Sequence, residues 1–342
     1  MEKCHFVSLC PKIGLKSNVA DAQELRIMTI FVICEEKIFM QFGVNIMKGM
    51  MRLLALQPLK LHYLWGKIIA WVVYGPLHYR RDVVMMNLAR SFPEKKYWEL
   101  KAIAKNFYRH FGNLVAETFW FAGAHDTKRL HESHICELVN ADVLNRLYKE
   151  RPGVILMNSH LGNWELTGGI RNYAYAPDSV EFQEKDVTVI YKELKNSFWD
   201  KILGLNRCAP ISPENYSTCY VESRNIMRYV IQHRNEKHIY VFPTDQCPYN
   251  YASGHVVDNF MNQPTQTMTG GATLACKFHF AVVYMAFRAK KDFGYEMTFT
   301  EICEDASQFS PEDVMNKFYR LLEKDIIDQP ANYLWTHNRW KK

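Results

Sequence analysis

At 342 residues and 48% hydrophobic, the chain is long and apolar enough to bury a large core, which excludes a disordered chain and a small disulfide-stapled domain. Nine cysteines, an odd number with no two in C-x-x-C spacing, argue against a disulfide framework or a zinc site and fit reduced thiols in a cytosolic compartment. The net charge of +6 is unevenly spread: eleven Lys/Arg against three acids leave Met51–His110 with +8, so an anionic partner is expected there, whether lipid headgroups, nucleic acid or an acidic carrier protein.

Residues 1–50 read as an N-terminal extension. Ile27–Cys34 is apolar but only eight residues long and is closed by Glu35-Glu36, too short to cross a bilayer, and no signal cleavage site follows. Leu53–Leu77 is the membrane candidate. Its longest charge-free apolar run, Ile68–Leu77, has ten residues, short of the length that about 30 Å of hydrocarbon requires. Trp65, Trp71, Tyr63 and Tyr74 suit a headgroup boundary, and Lys60 and Lys67 can reach it from a buried stem. An interfacial or single anchoring helix is expected, with Lys67, Arg80 and Arg81 at the membrane or carrier surface. RRDVVMMNLARSF and KKYWELKAIAKNFYRHFGNLVAETFWFAG then read as amphipathic helices, stopped at Pro93 and near Gly123. Residues 51–122 thus form a basic helical segment and 123–342 the main domain.

From about residue 135 the period changes. VILMN (154–158), DVTVIY (186–191), HIYVFP (238–243) and AVVYMAFRA (281–289) are short β-rich runs separated by helical stretches. The expected fold is α/β, a mixed, largely parallel sheet flanked by helices. EMTFTEI (296–302) reads as an added edge strand, and PEDVMNKFYRLLEKDIID as a late helix begun by Ser310-Pro311. Tryptophans outside the anchor read as core.

His160 follows directly on a strand expected to be buried, and Glu165 comes five residues later. On one regular helix that spacing is about 500°, so the two side chains cannot share a face. They can meet if the chain turns at Gly162-Asn163 and a helix begins only near Trp164. His160 would then stand at the carboxyl end of a strand, where open α/β sheets place their ligands. Glu165 could accept the ring's second N–H, and amides at the helix start could stabilise an oxyanion. Taken alone, the pair is equally a hydrogen-bonded loop. Competing motifs are weaker: HESH (131–134) is one residue short of H-E-x-x-H, and neither G-x-S-x-G nor a glycine-rich phosphate loop occurs.

N-S-H-L-G-N-W-E-L resembles the H-x-G-N-W-E-L block of the bacterial late acyltransferases of lipid A biosynthesis, which contains the histidine–four-residue–acid motif shared with glycerolipid acyltransferases. Five further segments resemble that family's blocks in the same order: RRDVVMMNLARSFPE, VIYKELKNSFWDKIL, FPTDQ, QPTQTMTGGATLACK and YLWTHNRWK. The resemblance covers about residues 50–342.

It implies transfer of a fatty acyl chain from acyl carrier protein to a hydroxyl on a membrane lipid, a lipid A precursor, at the cytoplasmic face of the bacterial inner membrane. The thioester would be the acyl donor, with no cofactor or metal and no nucleic acid involved. His160 would be the general base and Glu165 would hold it; Asn163, Lys192, Asp245, Gln246 and Arg339 would bind substrate. Asp245-Gln246 could equally tie down a loop, Thr269-Gly270-Gly271 permit close packing, and His337 and Arg339 pin the C-terminus. Three positions depart from the family pattern: Lys192 for arginine, Ser197 for proline and Asn338 for one arginine of the closing H-R-R. Lysine offers a point charge where arginine offers a fork, so recognition of the acceptor headgroup is where this chain should differ. A lysophospholipid or aminolipid acceptor, or hydrolysis by the same His-Glu pair, are the alternative readings.

Overall fold

The chain divides into Met1–Met47 and Lys48–Lys342, and the computed structural model describes residues 39–122, 127–175, 180–216, 218–248 and 255–340. Ile27–Cys34 and the boundary expected near residue 123 lie outside the described residues. All elements named below belong to the second unit.

After helical residues 48–55 come three helices: α1 (Leu59–Tyr74), α2 (Arg81–Ser91) and α3 (Tyr97–Ala122). Leu100, Ala104, Phe107 and Leu114, whose spacing predicts α3, are all buried on it. α1 runs antiparallel to α3, with Tyr74 against Tyr108 and His62 hydrogen-bonded to the Ala116 carbonyl at 3.1 Å. The two backbones approach this closely because the crossing is glycine on both sides: a Cβ on Gly112 would fall on the Gly66 carbonyl. Leu53–Leu77 is therefore not one helix. α1 begins only after Pro58 and has 16 residues, and no helix among the described residues is long and apolar enough to cross a membrane. Its outer face leaves Leu64, Trp65, Ile68 and Trp71 exposed.

The main domain follows in the order α4 (Thr127–Glu132), β1 (Cys136–Val139), α5 (Asp142–Glu150), β2 (Val154–Asn158), a 3-10 run (Trp164–Tyr173), β3 (Val187–Tyr191), α6 (Ser197–Cys208), β4 (Tyr220–Glu222), α7 (Ile226–Gln232) and β5 (Ile239–Pro243). After it come the hairpin β6 (Val256–Phe260)–β7 (Gln263–Gln266), α8 (Gly270–Phe278), β8 (Ala281–Ala289), β9 (Tyr295–Cys303) and α9 (Pro311–Asp328). Seven strands form one sheet in the order β1-β9-β8-β2-β5-β3-β4, and its pairs are parallel except β8–β9. This is the mixed, largely parallel sheet that alternating strands and helices predict.

All five residues of β2 are buried, the mark of a central strand covered on both faces. α8 packs on β2 and β8, where a Cβ on Gly271 would stand 3.1 Å from the Phe242 ring, so Gly271 serves close helix–sheet packing, whereas a Cβ on Gly270 would meet nothing within 4 Å. α9 packs on β8 and β9 and starts as its sequence predicts, with Pro311 in the first turn and a reciprocal Ser310–Asp313 capping box. One expectation changes: β9 is not an edge strand, because β1 pairs outside it from Cys136↔Tyr295 to Val139↔Thr298. The short, mixed sequence CELV carries no alternation that would mark β1 as a strand.

Candidate active site

Parallel pairing of β2 with β5 sets Asn158 opposite Pro243. The ladder runs one step further, the Thr244 N–H donating to the Asn158 carbonyl at 2.9 Å. Both chains then leave the sheet at the same edge, and the residues two beyond the last register pair, His160 and Asp245, emerge side by side. His160 Nδ1 lies 2.7 Å from Asp245 Oδ1, and the His160 peptide N–H donates to Asp245 Oδ2 at 3.1 Å. Side-chain exposure is 12% for His160 and 3% for Asp245, so water competes little for this contact.

Burial alone would push the Asp245 carboxyl up, but the His160 charge, its two hydrogen bonds and the Arg339 charge hold it below the usual carboxylate range. Burial alone would lower His160; the Asp245 charge and hydrogen bond, with the Glu165 charge adding to them, raise it above the ordinary histidine value. A carboxylate on Nδ1 fixes the proton there and leaves the lone pair on Nε2. That nitrogen lies 2.8 Å from the side-chain nitrogen of Gln246, and the ring leans on Trp164 with centroids 4.7 Å apart.

The turn that carries His160 is held from two sides. Gly162 has φ +64°, and a Cβ there would stand 2.5 Å from Phe287 Cβ, so only glycine makes this bend. Trp164 then opens the 3-10 run, so Glu165 sits in its first turn. On one side the Gly162 N–H donates to the Asn332 carbonyl at 2.9 Å, and the Leu334 N–H to the His160 carbonyl at 3.1 Å. On the other side α3 supplies Glu117, which accepts from Asn163 Nδ2 at 2.7 Å. Glu117 also accepts from the hydroxyls of Tyr63 at 2.7 Å and Tyr295 at 3.0 Å. Burial pushes its carboxyl up to about 7 even so.

Several expected roles move. The ring nitrogen expected for Glu165 is taken by Asp245, and Glu165 acts on the ring through its charge. Asn163 and Arg339, expected at the substrate, are 0% and 2% exposed: Asn163 ties the turn to α3, and Arg339 Nη2 donates to the Tyr319 hydroxyl at 2.9 Å and to the Gln266 carbonyl. Lys192 is exposed directly after β3, at the same carboxyl edge of the sheet as His160. Arg80, expected at a membrane or carrier surface, donates to the Thr336 carbonyl at 2.9 Å, and Arg81 lies over the Tyr74 ring at 4.6 Å. Lys67 is exposed on α1. The partner of His160 was within reach of sequence reading only as a D-Q pair after a strand. Strand register, which makes it the partner, is not written in any local pattern.

A histidine so held has the chemistry to serve as a general base, and a base at the carboxyl edge of such a sheet would suit transfer of a group onto a hydroxyl. The chain belongs to the bacterial lipid A biosynthesis acyltransferase family, whose model matches residues 35–342. It is accordingly an acyltransferase. Comparison with curated proteins finds none that matches.

Proposed function

We propose that this enzyme transfers a fatty acyl chain from acyl carrier protein to a hydroxyl of a lipid A precursor, working at the cytoplasmic face of the bacterial inner membrane. The observation that carries the reading is the His160–Asp245 contact within a family of acyltransferases. His160 Nε2 takes the proton of the acceptor hydroxyl, whose oxygen forms the new bond to the thioester carbonyl. The tetrahedral intermediate collapses with cleavage of the C–S bond, and the leaving thiolate receives the proton from the imidazolium. Asp245 and Glu165 stabilise that imidazolium, and the thioester supplies the activated acyl group, so no cofactor enters the balance. A positioned base of this kind contributes roughly 10²–10⁴ in rate.

The acceptor hydroxyl must take the place of the Gln246 amide at Nε2, which makes Gln246 a residue that meets the acceptor. Lys192, at the same edge, suits an acceptor phosphate. The exposed Leu64, Trp65, Ile68 and Trp71, with Lys67 beside them on α1, suit shallow seating in a headgroup layer. The test is incubation of the full chain, in mixed micelles, with an acyl carrier thioester and a lipid A precursor lacking one acyl chain. Mass spectrometry should find the acceptor heavier by one acyl group with wild type and unchanged with His160→Ala. Free fatty acid without acylated acceptor would make the enzyme a thioesterase instead.

A further inference from the structure

The turn that carries His160 meets α3 at a buried acid. Glu117 is 2% exposed, and its two oxygens receive hydrogen bonds from three separate parts of the chain. Tyr63 on α1 donates to Oε1 at 2.7 Å, while Asn163 Nδ2 in the turn and the Tyr295 hydroxyl on β9 donate to Oε2 at 2.7 and 3.0 Å. No ion pair accompanies these bonds among the described residues. An acid withdrawn from water without a cation is costly, and neutral donors offset only part of that cost. For packing alone, an apolar side chain of similar volume would serve as well. The position requires an acceptor.

The three donors differ in kind. A tyrosine hydroxyl can turn to accept as well as donate, whereas an amide nitrogen only donates. Asn163 is 0% exposed and its side-chain Oδ1 is buried without a partner, so Glu117 is the group that holds its amide. Asn163 stands between Gly162, where only glycine makes the bend, and Trp164, whose ring meets that of His160. The chain around Asn332 and Leu334 ties the turn through backbone bonds at Gly162 and His160. Glu117 ties it from the other side, through a side chain.

We propose that Glu117 is a positioning residue of the site: through Asn163 it fixes the turn, so that His160 Nε2 stays aimed at the acceptor hydroxyl while Asp245 holds Nδ1. The proposal takes its reaction from the acyl transfer proposed above. A displacement of about 1 Å in a reacting group costs roughly 10²-fold in rate. In Glu117→Leu the tie to Asn163 is gone. In Glu117→Gln the amide oxygen still accepts from Asn163, and its nitrogen donates to a tyrosine oxygen. Tyr295→Phe removes one bond to Glu117 and leaves the Asn163 bond in place.

Steady-state kinetics of the full chain in mixed micelles, with an acyl carrier thioester and a lipid A precursor, compare wild type with these three variants. Asn163→Ala and the double variant Glu117→Leu/Asn163→Ala complete the set. In Glu117→Leu and in Asn163→Ala, kcat should fall roughly 10²-fold with the KM for the acceptor little changed. The double variant should be no slower than either single one, because both remove the same tie. Glu117→Gln should recover most of the rate, and Tyr295→Phe should keep it. A residue that served stability alone would not single out the variants that break the Asn163 bond. Carbethoxylation of His160 by diethyl pyrocarbonate at fixed pH, followed by peptide mass spectrometry, reads the positioning without the reaction. It should run several-fold faster in Glu117→Leu and Asn163→Ala, whose turn is released. Asn163→Ala keeps the test open if Glu117→Leu fails to fold. A wild-type kcat in Asn163→Ala overturns the proposal, as do losses that multiply in the double variant or an unchanged carbethoxylation rate. A raised KM with kcat kept would return Asn163 to the substrate and overturn it too. Wild type that transfers no acyl chain overturns the proposed reaction, and the carbethoxylation rates then decide the role of Glu117 by themselves.

Discussion

Asp245 binds His160 at two atoms, the ring Nδ1 at 2.7 Å and the peptide N–H at 3.1 Å, across 85 residues of sequence. One carboxylate thereby sets both the tautomer of the His160 ring and the place where its backbone leaves the sheet. In Asp245→Asn the amide can turn its N–H₂ toward Nδ1, which moves the ring proton to Nε2 and removes the lone pair that the acceptor needs. The account expects kcat to fall by about 10²–10⁴ with the KM for the lipid acceptor little changed, as steady-state kinetics in micelles would show. Glu165→Gln removes a charge that favours the imidazolium, so the acid limb of its kcat/KM profile should move to lower pH.

Gln246 stands 2.8 Å from His160 Nε2, the nitrogen proposed to receive the proton. A carboxylate there would pair with the imidazolium and keep it charged. Gln246→Glu should therefore lose activity at neutral pH and recover it as pH rises, its acid limb displaced upward. In wild type that limb should lie above the ordinary histidine value, since the Asp245 charge and hydrogen bond raise His160. A Gln246→Glu profile that keeps the wild-type midpoint would mean the amide does not face the reacting nitrogen.

Glu117 titrates at about 7 in the folded protein against an ordinary 4.5. Between those values the unfolded chain has released a proton that the folded chain still holds, so the contribution of this group to stability is complete below about 4.5 and is lost as pH rises through about 7. The loss is on the order of 3 kcal/mol. Urea midpoints of wild type should therefore fall relative to those of Glu117→Gln between pH 5 and pH 8; parallel midpoints would show that Glu117 ionises in the fold as freely as in water.

Membrane seating should depend on the exposed face of α1. Trp65 and Trp71 are 44% and 69% exposed, and each large side chain withdrawn from water is worth about 1.5–3 kcal/mol if fully buried. Replacing both by serine should weaken binding to anionic vesicles tenfold or more in sedimentation assays, while acyl transfer to a detergent-dispersed acceptor persists. Lys67→Glu should weaken the same binding and do so less at high salt. Arg80 is a poor probe of this surface, because charge reversal there also breaks its bond to the Thr336 carbonyl.

Local patterns made the central parts legible. Val154–Met157 is an unbroken apolar run because it is covered on both faces, and the five-residue gap from His160 to Glu165, with a glycine inside it, already demanded a turn. What lay hidden depends on contacts between distant residues. β1 and β4 are four and three residues long and owe their existence to neighbours already in the sheet. Asp245 became the partner of His160 through strand register. The resemblance alone places Asn163 and Arg339 at the substrate, and their burial depends on packing that no local pattern shows. Trp98 and Trp199, read as core, are 64% and 52% exposed, and Trp98 carries Lys96 over its ring at 5.1 Å.

The central claim is that the His160–Asp245 pair is the base of acyl transfer to a lipid hydroxyl. Single-turnover transfer from an acyl carrier thioester to a lipid A precursor, followed by mass spectrometry in wild type, His160→Ala and Asp245→Asn, measures it most directly. The account predicts a new ester on the acceptor with wild type, none with His160→Ala, and a rate reduced about 10²–10⁴-fold with Asp245→Asn. Transfer at the wild-type rate by either variant would contradict it.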